Sequence, residues 1–142
     1  MKEGFRMLDI TAEDRLAIHD VIALHGHVAD DRDWERLGDL FTDDVVLDLE
    51  DFGYGTLHGL QAIRDLSRGS QDDKGQPLGH HATNIVVVGQ DGEGVRARSK
   101  ALAVMADGTS GTAVYEDILR REERGWRISH RKVVARAPRA YA

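Results

Sequence analysis

The second half of the sequence constrains the fold most, because it consists of four long runs that are typical of β-strands. These runs cover residues 80–88, 95–105, 112–121 and 126–135. Glycine-containing segments separate them, including Asp107-Gly108 and Arg124-Gly125. Short turns of this kind between alternating runs are typical of hairpins. The sequence therefore predicts an antiparallel meander of four strands.

The first half of the sequence favours helices. Thr11, followed by Glu13 and Asp14, predicts a helix start, since threonine caps helices and acids favour the first turn. Apolar residues then recur at helical spacing up to about residue 30, and His25 falls on the same buried stripe. We expect this helix to end near Asp30.

Shorter elements follow the first helix. The pattern predicts a short helix over 34–41 capped by Asp33, a strand over 45–50, an extended piece over 54–58 and a third helix over 59–67. Residues 68–79 are glycine-rich and polar and predict the longest loop. Helices that precede a run of strands favour an α+β fold, with about three N-terminal helices on one face of a curved, mostly antiparallel sheet.

Composition narrows the class of protein. A chain of 142 residues fits one domain, which we place at residues 1–142 with 1–10 as a loose arm. A net charge of −6 argues against nucleic-acid binding. No apolar run reaches the roughly 20 residues that span a membrane, and no signal peptide is recognisable, so we expect a cytoplasmic protein. The absence of cysteine excludes thiol nucleophiles and zinc-thiolate sites.

The first strand of the meander begins with two histidines, His80 and His81. Side chains alternate between the faces of a strand, so the two rings should point in opposite directions. His81 would share a face with the odd-numbered residues up to Val87, and His80 with the even-numbered ones up to Val88. Composition allows either face to be the inner one.

Four runs of the sequence resemble the SnoaL-like proteins of the NTF2-like superfamily. They are Ala29-Asp30-Asp31-Arg32-Asp33-Trp34-Glu35-Arg36-Leu37, Leu40-Phe41-Thr42-Asp43-Asp44-Val45, His81-Ala82-Thr83-Asn84 and Gly125-Trp126-Arg127-Ile128. The resemblance extends from about residue 12 to 136. It implies a cone, in which a strongly bent sheet and a lid of helices enclose a pocket. This family includes dehydratases, a dehydrochlorinase, isomerases and polyketide cyclases, and also proteins without enzyme activity.

The resemblance also implies a site. Asp30 and His81 fall where eliminating members carry an Asp–His dyad, and His25 falls where many relatives carry a tyrosine. A histidine oriented by a carboxylate is a suitable base near neutral pH. We therefore predict His81 as the base, Asp30 as its partner and His25 as a donor to a substrate oxygen. The competing interpretation makes His25 a core histidine and His81 a structural one.

Further polar and aromatic residues are candidates for substrate binding. They are Tyr115, Asn84, Ser99, Trp34 and His130. Strand parity leaves open whether His130 or Arg131 faces the pocket. We expect no metal site, because the pairs His25/His27 on a helix and His80/His81 on a strand each diverge.

The predicted function is a cofactor-independent lyase of dehydratase type that acts on an apolar small molecule. The alternatives are an isomerase or cyclase of a polyketide- or steroid-like substrate, and a non-catalytic ligand-binding module. A subunit similar to the β subunit of aromatic-ring dioxygenases is a third possibility. Because relatives commonly pair through the outer face of the sheet, we expect a homodimer or a higher homo-oligomer.

Overall fold

A six-stranded sheet packs against helices from the N-terminal half of the chain. The computed structural model describes residues 9–136 of the protein. The helices are α1 (Ala12–Asp30), α2 (Leu60–Ser70) and two 3-10 helices (Trp34–Asp39 and Glu50–Phe52). The strands are β1 (Phe41–Leu49), β2 (Gly55–His58), β3 (Gly79–Asp91), β4 (Gly94–Val104), β5 (Ser110–Glu122) and β6 (Gly125–Ala135). Of the expected N-terminal arm, residues 1–8 lie outside the described part.

The strand order is β2-β1-β6-β5-β4-β3, and only the β1–β6 pair is parallel. The predicted meander of four strands and the predicted α+β class are confirmed. Two local predictions are wrong. The first strand begins at Phe41, earlier than residue 45, and the segment before it is a 3-10 helix in which the Asp33 side chain makes no capping hydrogen bond.

Asp14 fixes the start of α1 and connects it to the hairpin between β5 and β6. Thr11 and Asp14 form a reciprocal capping box, with bonds of 3.0 and 2.9 Å to each other's backbone N–H. The Asp14 carboxylate also accepts from Trp126 Nε1 at 3.2 Å and pairs with Arg121 at 2.9 Å. These charged hydrogen bonds, that of Arg121 first, hold the pKa of Asp14 well below its usual range.

The core lies between α1 and the concave face of the sheet. Ile18, Ile22 and Val28 of α1 are fully buried against strand residues such as Leu119 and Ile128. The predicted helical stripe is therefore the buried face of α1. Within the described residues, no helix is long and apolar enough to cross a membrane.

Gly26 allows α1 to approach the start of β3 very closely. A Cβ atom built on Gly26 would lie 2.2 Å from the His80 carbonyl oxygen, which is far inside van der Waals contact. Glycine is therefore required at this position of the helix. The close approach brings the C-terminal turn of α1, with Asp30, next to the backbone of His80.

An irregularity in β3 changes which side chains face the core. Asn84 has a positive φ of 53°, and the register with β4 gains one β3 residue between Thr83 and Val86. A β-bulge of this kind interrupts the alternation of side chains. Ala82 before the bulge and Ile85 after it both pack against the core, although simple alternation would place them on opposite faces.

A second irregularity lies in β6. Leu119 pairs with Ile128 and Ile118 pairs with His130, so β6 carries one extra residue at this point. Ile128 and Arg131 are both fully buried, whereas His130 is directed to the other face of the sheet. The bulge thus decides the question that strand parity leaves open, and Arg131 is the inward residue.

Candidate active site

Asp30 and His80 form the most closely connected pair of polar side chains at the pocket. His80 Nδ1 lies 2.7 Å from Asp30 Oδ1, and the His80 backbone N–H donates to the same carboxylate at 3.1 and 3.2 Å. The two side chains are 27% and 29% exposed, so solvent or a ligand can reach them. The carboxylate holds the ring through Nδ1, which leaves Nε2 free to face a ligand.

The prediction that His81 pairs with Asp30 is wrong, and the bulge at Asn84 is the physical reason. His81 is exposed on the outer face, where it pairs across the strands with Leu102. Its ring folds back so far that Nε2 would lie 2.9 Å from a Cβ on Gly79. The resemblance, and not strand parity, assigns the site histidine to His81. Ile85 and Val87 pack against the core, but the bulge reverses the parity before them, so His80 turns inward and His81 outward.

His25 lies beside the Asp30–His80 pair, on the same helix as Asp30. Its ring centroid is 6.3 Å from that of His80 and 6.1 Å from those of Phe41 and Tyr115. Burial, followed by the positive charge of Arg131 and by His80, lowers the pKa of His25 to about 3. His25 is therefore a neutral imidazole at physiological pH, able to donate one hydrogen bond and accept another.

A buried ion pair lies behind His25. Arg131 donates through Nε and Nη2 to Asp117 at 2.7 and 2.9 Å, and both side chains are almost completely buried. The guanidinium carbon stands 3.9 Å from the ring centroid of Tyr115, a cation–π contact. Burial raises the pKa of Tyr115. Arg131 is therefore a fixed positive charge in the interior, and the negative charge of Asp117 balances it.

Ser99 and Tyr115, both predicted to bind substrate, are directly opposite each other on β4 and β5. Both are buried, at 1% and 7% exposure. Within residues 9–136, Ser99 Oγ and Arg131 Nη1 have no hydrogen-bond partner. Tyr115 is not among the residues that line the cavity, but its ring contacts that of His25, which does line it.

A cavity of about 360 Å³ opens beside the Asp30–His80 pair. One wall is formed by His25, Ala29, Asp30 and His80. Arg32 and Trp34 come from the segment that follows α1, and the remaining lining residues lie between Ser67 and Leu78. Most of these side chains are polar, so the expectation of an apolar pocket is wrong at this mouth. The polarity arises because the predicted long loop, rather than the apolar core, closes the cavity.

Trp34, another predicted binding residue, lies in the wall of this cavity. Its indole N–H donates to Gln71 Oε1 at 2.9 Å, which fixes the ring against the segment after α2. Nearby, Arg32 pairs with Asp72 at 2.9 Å across the same mouth. Both contacts connect the end of α1 to the loop that follows α2.

Asn84 and His130 lie on the outer face of the sheet, so the structure does not bring them to the cavity beside Asp30 and His80. Asn84 lines a groove on the outer face together with Val86 and Val88, since its side chain turns outward at the bulge. His130 lines another outer groove, because the bulge in β6 gives the inward position to Arg131. Among the described residues, no group of three acidic, histidine or cysteine side chains is arranged to hold a metal ion.

The sequence interpretation missed His80, Gly26 and the Arg131–Asp117 pair. Asn84 is the signal that could have identified His80, because asparagine is enriched at positive φ and a bulge reverses strand parity. A glycine inside the buried stripe of a helix, as at Gly26, is a comparable signal of close approach. The partners Arg131 and Asp117 lie on different strands, and the pattern of one strand does not indicate their contact.

The SnoaL-like domain model matches residues 11–132. A candidate aromatic ring hydroxylase from Novosphingobium aromaticivorans is 29% identical, with a TM-score of 0.77 and coverage of 92% of this chain and 94% of that chain. An NTF2-like protein with a cystatin-like fold from the same organism is 28% identical, with a TM-score of 0.68 and coverage of 85% and 80%.

LinA shares the fold at 23% identity, with a TM-score of 0.69 and coverage of 94% of this chain and 99% of LinA. No curated protein matches the sequence significantly. The matched domain model spans most of the chain, and the solved structures cover nearly all of it with the same curved sheet. The chain belongs to the SnoaL-like domain family and has an NTF2-like fold.

Proposed function

We propose that the protein is a cofactor-independent lyase of dehydratase type in which His80 is the base and Asp30 orients it. The observation that carries the proposal is the 2.7 Å contact between His80 Nδ1 and Asp30 Oδ1 at the edge of the cavity. An imidazole held by a carboxylate has one fixed tautomer, with its proton on the bonded nitrogen and the other nitrogen free to accept. His80 Nε2 is then the atom that removes a proton from substrate.

The reaction follows from this geometry. His80 Nε2 takes a proton from a carbon next to a carbonyl, and the electron pair forms the new double bond as hydroxide leaves the neighbouring carbon. Asp30 stabilises the imidazolium, which returns the proton to the departing hydroxide, so the products are an unsaturated carbonyl compound and water. Neutral His25 donates a hydrogen bond to the carbonyl oxygen while negative charge develops on it.

Isomerisation is the second candidate, because the same base and donor support it. An isomerase would return the proton to a different carbon and release no water. The kinship with a family of small-molecule enzymes and binding proteins is compatible with both outcomes. The two reactions differ in the fate of the proton, and matched probes can separate them.

The experiment uses two uncharged ring ketones. 3-Hydroxycyclohexanone gives cyclohex-2-enone by loss of water, whereas cyclohex-3-enone gives the same product by isomerisation alone. We expect the first conversion to be the faster one. The absorbance of the enone product measures both rates, and deuterium uptake by the ketone in D₂O is a more sensitive readout of proton removal. Replacement of the base, His80→Gln, should lower turnover by about 100-fold or more.

The matched control is His81→Gln, which makes the same change on the outer face and should leave turnover within about twofold. Full turnover by the His80→Gln variant would sink the proposal. A protein that converts neither ketone and exchanges no α-proton would instead be assigned as a binding module.

A further inference from the structure

The mouth of the cavity contains one cation and several carboxylates. Among the residues that line it, Arg32 is the only cationic side chain of Lys or Arg type, whereas Asp30, Asp72 and Asp73 are acidic. Arg32 is already paired with Asp72 at 2.9 Å. Asp30 is occupied by His80 at 2.7 Å. Among the described residues Asp73 is in no ion pair.

An anionic ligand would therefore compete with Asp72 for the one guanidinium in this wall. A carboxylate or phosphate bound in the cavity would lose water, and the only guanidinium in the wall is already bound to Asp72. It would also face the uncompensated charge of Asp73. Like charges brought close together disfavour binding, so the acidic side chains weaken the binding of an anion more than that of an uncharged ligand.

A hydroxylated ring compound, by contrast, matches what the wall offers. Asp73 and Gln76 present acceptor oxygens that hydroxyl groups can satisfy. Trp34 provides a flat aromatic surface, which its bond to Gln71 at 2.9 Å holds in place. Rigid aromatic rings in a pocket bind other rings by stacking and exclusion of water.

We infer that the cavity prefers uncharged, hydroxyl-bearing ring compounds over anionic ones, and that Asp72 is a specificity residue because it pairs with Arg32. This inference rests on the proposed function only in taking the cavity as the substrate site. The Asp30–His80 pair alone does not determine this class of substrate.

The test compares two ligands with one ring and different charge. Tyrosol, which carries a hydroxyethyl group, and 4-hydroxyphenylacetate, which carries a carboxylate, are titrated against the 142-residue protein. Binding is followed by the shift of the Trp34 indole N–H signal in NMR spectra. We expect the wild type to bind tyrosol at least about threefold more tightly, the size of effect typical of partly exposed charges.

The variant Asp72→Asn should release Arg32 and raise the affinity for 4-hydroxyphenylacetate by about threefold, with little effect on tyrosol. The double variant Arg32→Gln/Asp72→Asn should restore the original preference, since no cation remains. Both positions are well exposed, at 54% and 81% of their side chains, so the fold should persist. Asp31→Asn is the control, because it removes the same charge next to Arg32 without lining the cavity.

Equal or tighter binding of 4-hydroxyphenylacetate by the wild type would overturn the inference. So would an Asp72→Asn variant with unchanged preference, or the absence of any Trp34 shift with either ligand. These results concern the ligand class alone. The proposed base is judged separately, by turnover of 3-hydroxycyclohexanone in the wild type and in the His80→Gln variant.

Discussion

His25 links the chemistry of the pocket to the stability of the protein. Burial, Arg131 and His80 lower its pKa from 6.5 to about 3 in the folded state. The unfolded chain therefore binds a proton at this side chain when the pH falls below about 6.5, while the folded chain does not. The contribution of neutral His25 is fully present above pH 6.5 and is lost progressively as the pH falls toward 3.

We predict that His25 alone gives a slope of about 1.4 kcal/mol per pH unit in the free energy of unfolding between pH 6 and 4. Urea denaturation across this range measures the slope. Because carboxylates also titrate in acid, the comparison is with His25→Gln, which should be less stable near pH 7 but should have a shallower slope by that amount. Parallel slopes in the two proteins would show that His25 does not remain neutral.

The residues around His25 also mark how far the sequence could predict the site. The helical stripe placed His25 correctly on the buried face of α1, since that inference needs only the spacing within one helix. The lowered pKa of His25 comes first from its burial in the folded protein and then from the charge of Arg131, more than a hundred positions later on β6. Such a contact forms only in the tertiary fold, so the sequence pattern of one element does not indicate it.

At the scale of the elements, the bulge in β3 determines which histidine enters the pocket. The hydrophobic pattern predicts the strand but not the bulge. Apolar residues occur both before and after Asn84, so one extra residue does not visibly interrupt the pattern. Asn84 adopts φ of 53°, a conformation that glycine and asparagine tolerate and β-branched residues avoid. The bulge is thus encoded by a backbone preference.

We predict that Asn84→Val destabilises the protein by about 1–3 kcal/mol, because valine must either adopt a strained φ or remove the bulge. Removal of the bulge would turn His80 away from Asp30 and abolish turnover. Asn84→Gly should retain both the site and most of the stability. Urea denaturation and ketone turnover measure the two effects, with Thr112→Val as the control, because Thr112 is an exposed residue of β5 away from the bulge. A stable and active Asn84→Val variant would show that the bulge does not require this residue.

The bulge in β6 illustrates the same limit. Residues 126–135 were correctly predicted as a strand, yet only the extra residue near Ser129 decides that Arg131 points inward and His130 outward. The start of α1, by contrast, was predicted correctly from Thr11 and Asp14, because a capping box is a local pattern. The sequence indicates most elements and the cap at Thr11, although the predicted cap at Asp33 is wrong, and it does not indicate changes of register within strands.

At the scale of the whole molecule, the outer face of the sheet carries apolar side chains that no described element covers. Val86 and Val88 on β3 are 58% and 59% exposed, and Leu102 and Val104 on β4 are 39% and 36% exposed. β3 is also an edge strand. Arg98 and Lys100 of β4 lie between the two pairs, so the face is only partly apolar. Exposed apolar side chains rimmed by polar ones are typical of association surfaces. These side chains are the basis for predicting a homodimer through this face.

The prediction is a dimer in sedimentation equilibrium at micromolar concentration, and a monomer for the double variant Val86→Lys/Val88→Lys. Two lysines opposite their copies would repel each other and lose the apolar contact, so association should weaken by at least 10-fold. Phe52→Lys is the control, because Phe52 is 46% exposed but lies near β2, at the opposite edge of the sheet. A monomeric wild type would contradict the prediction, and so would a lysine variant that still sediments as a dimer. Because the cavity opens on the concave side, the monomeric variant should keep its turnover, which would separate assembly from catalysis.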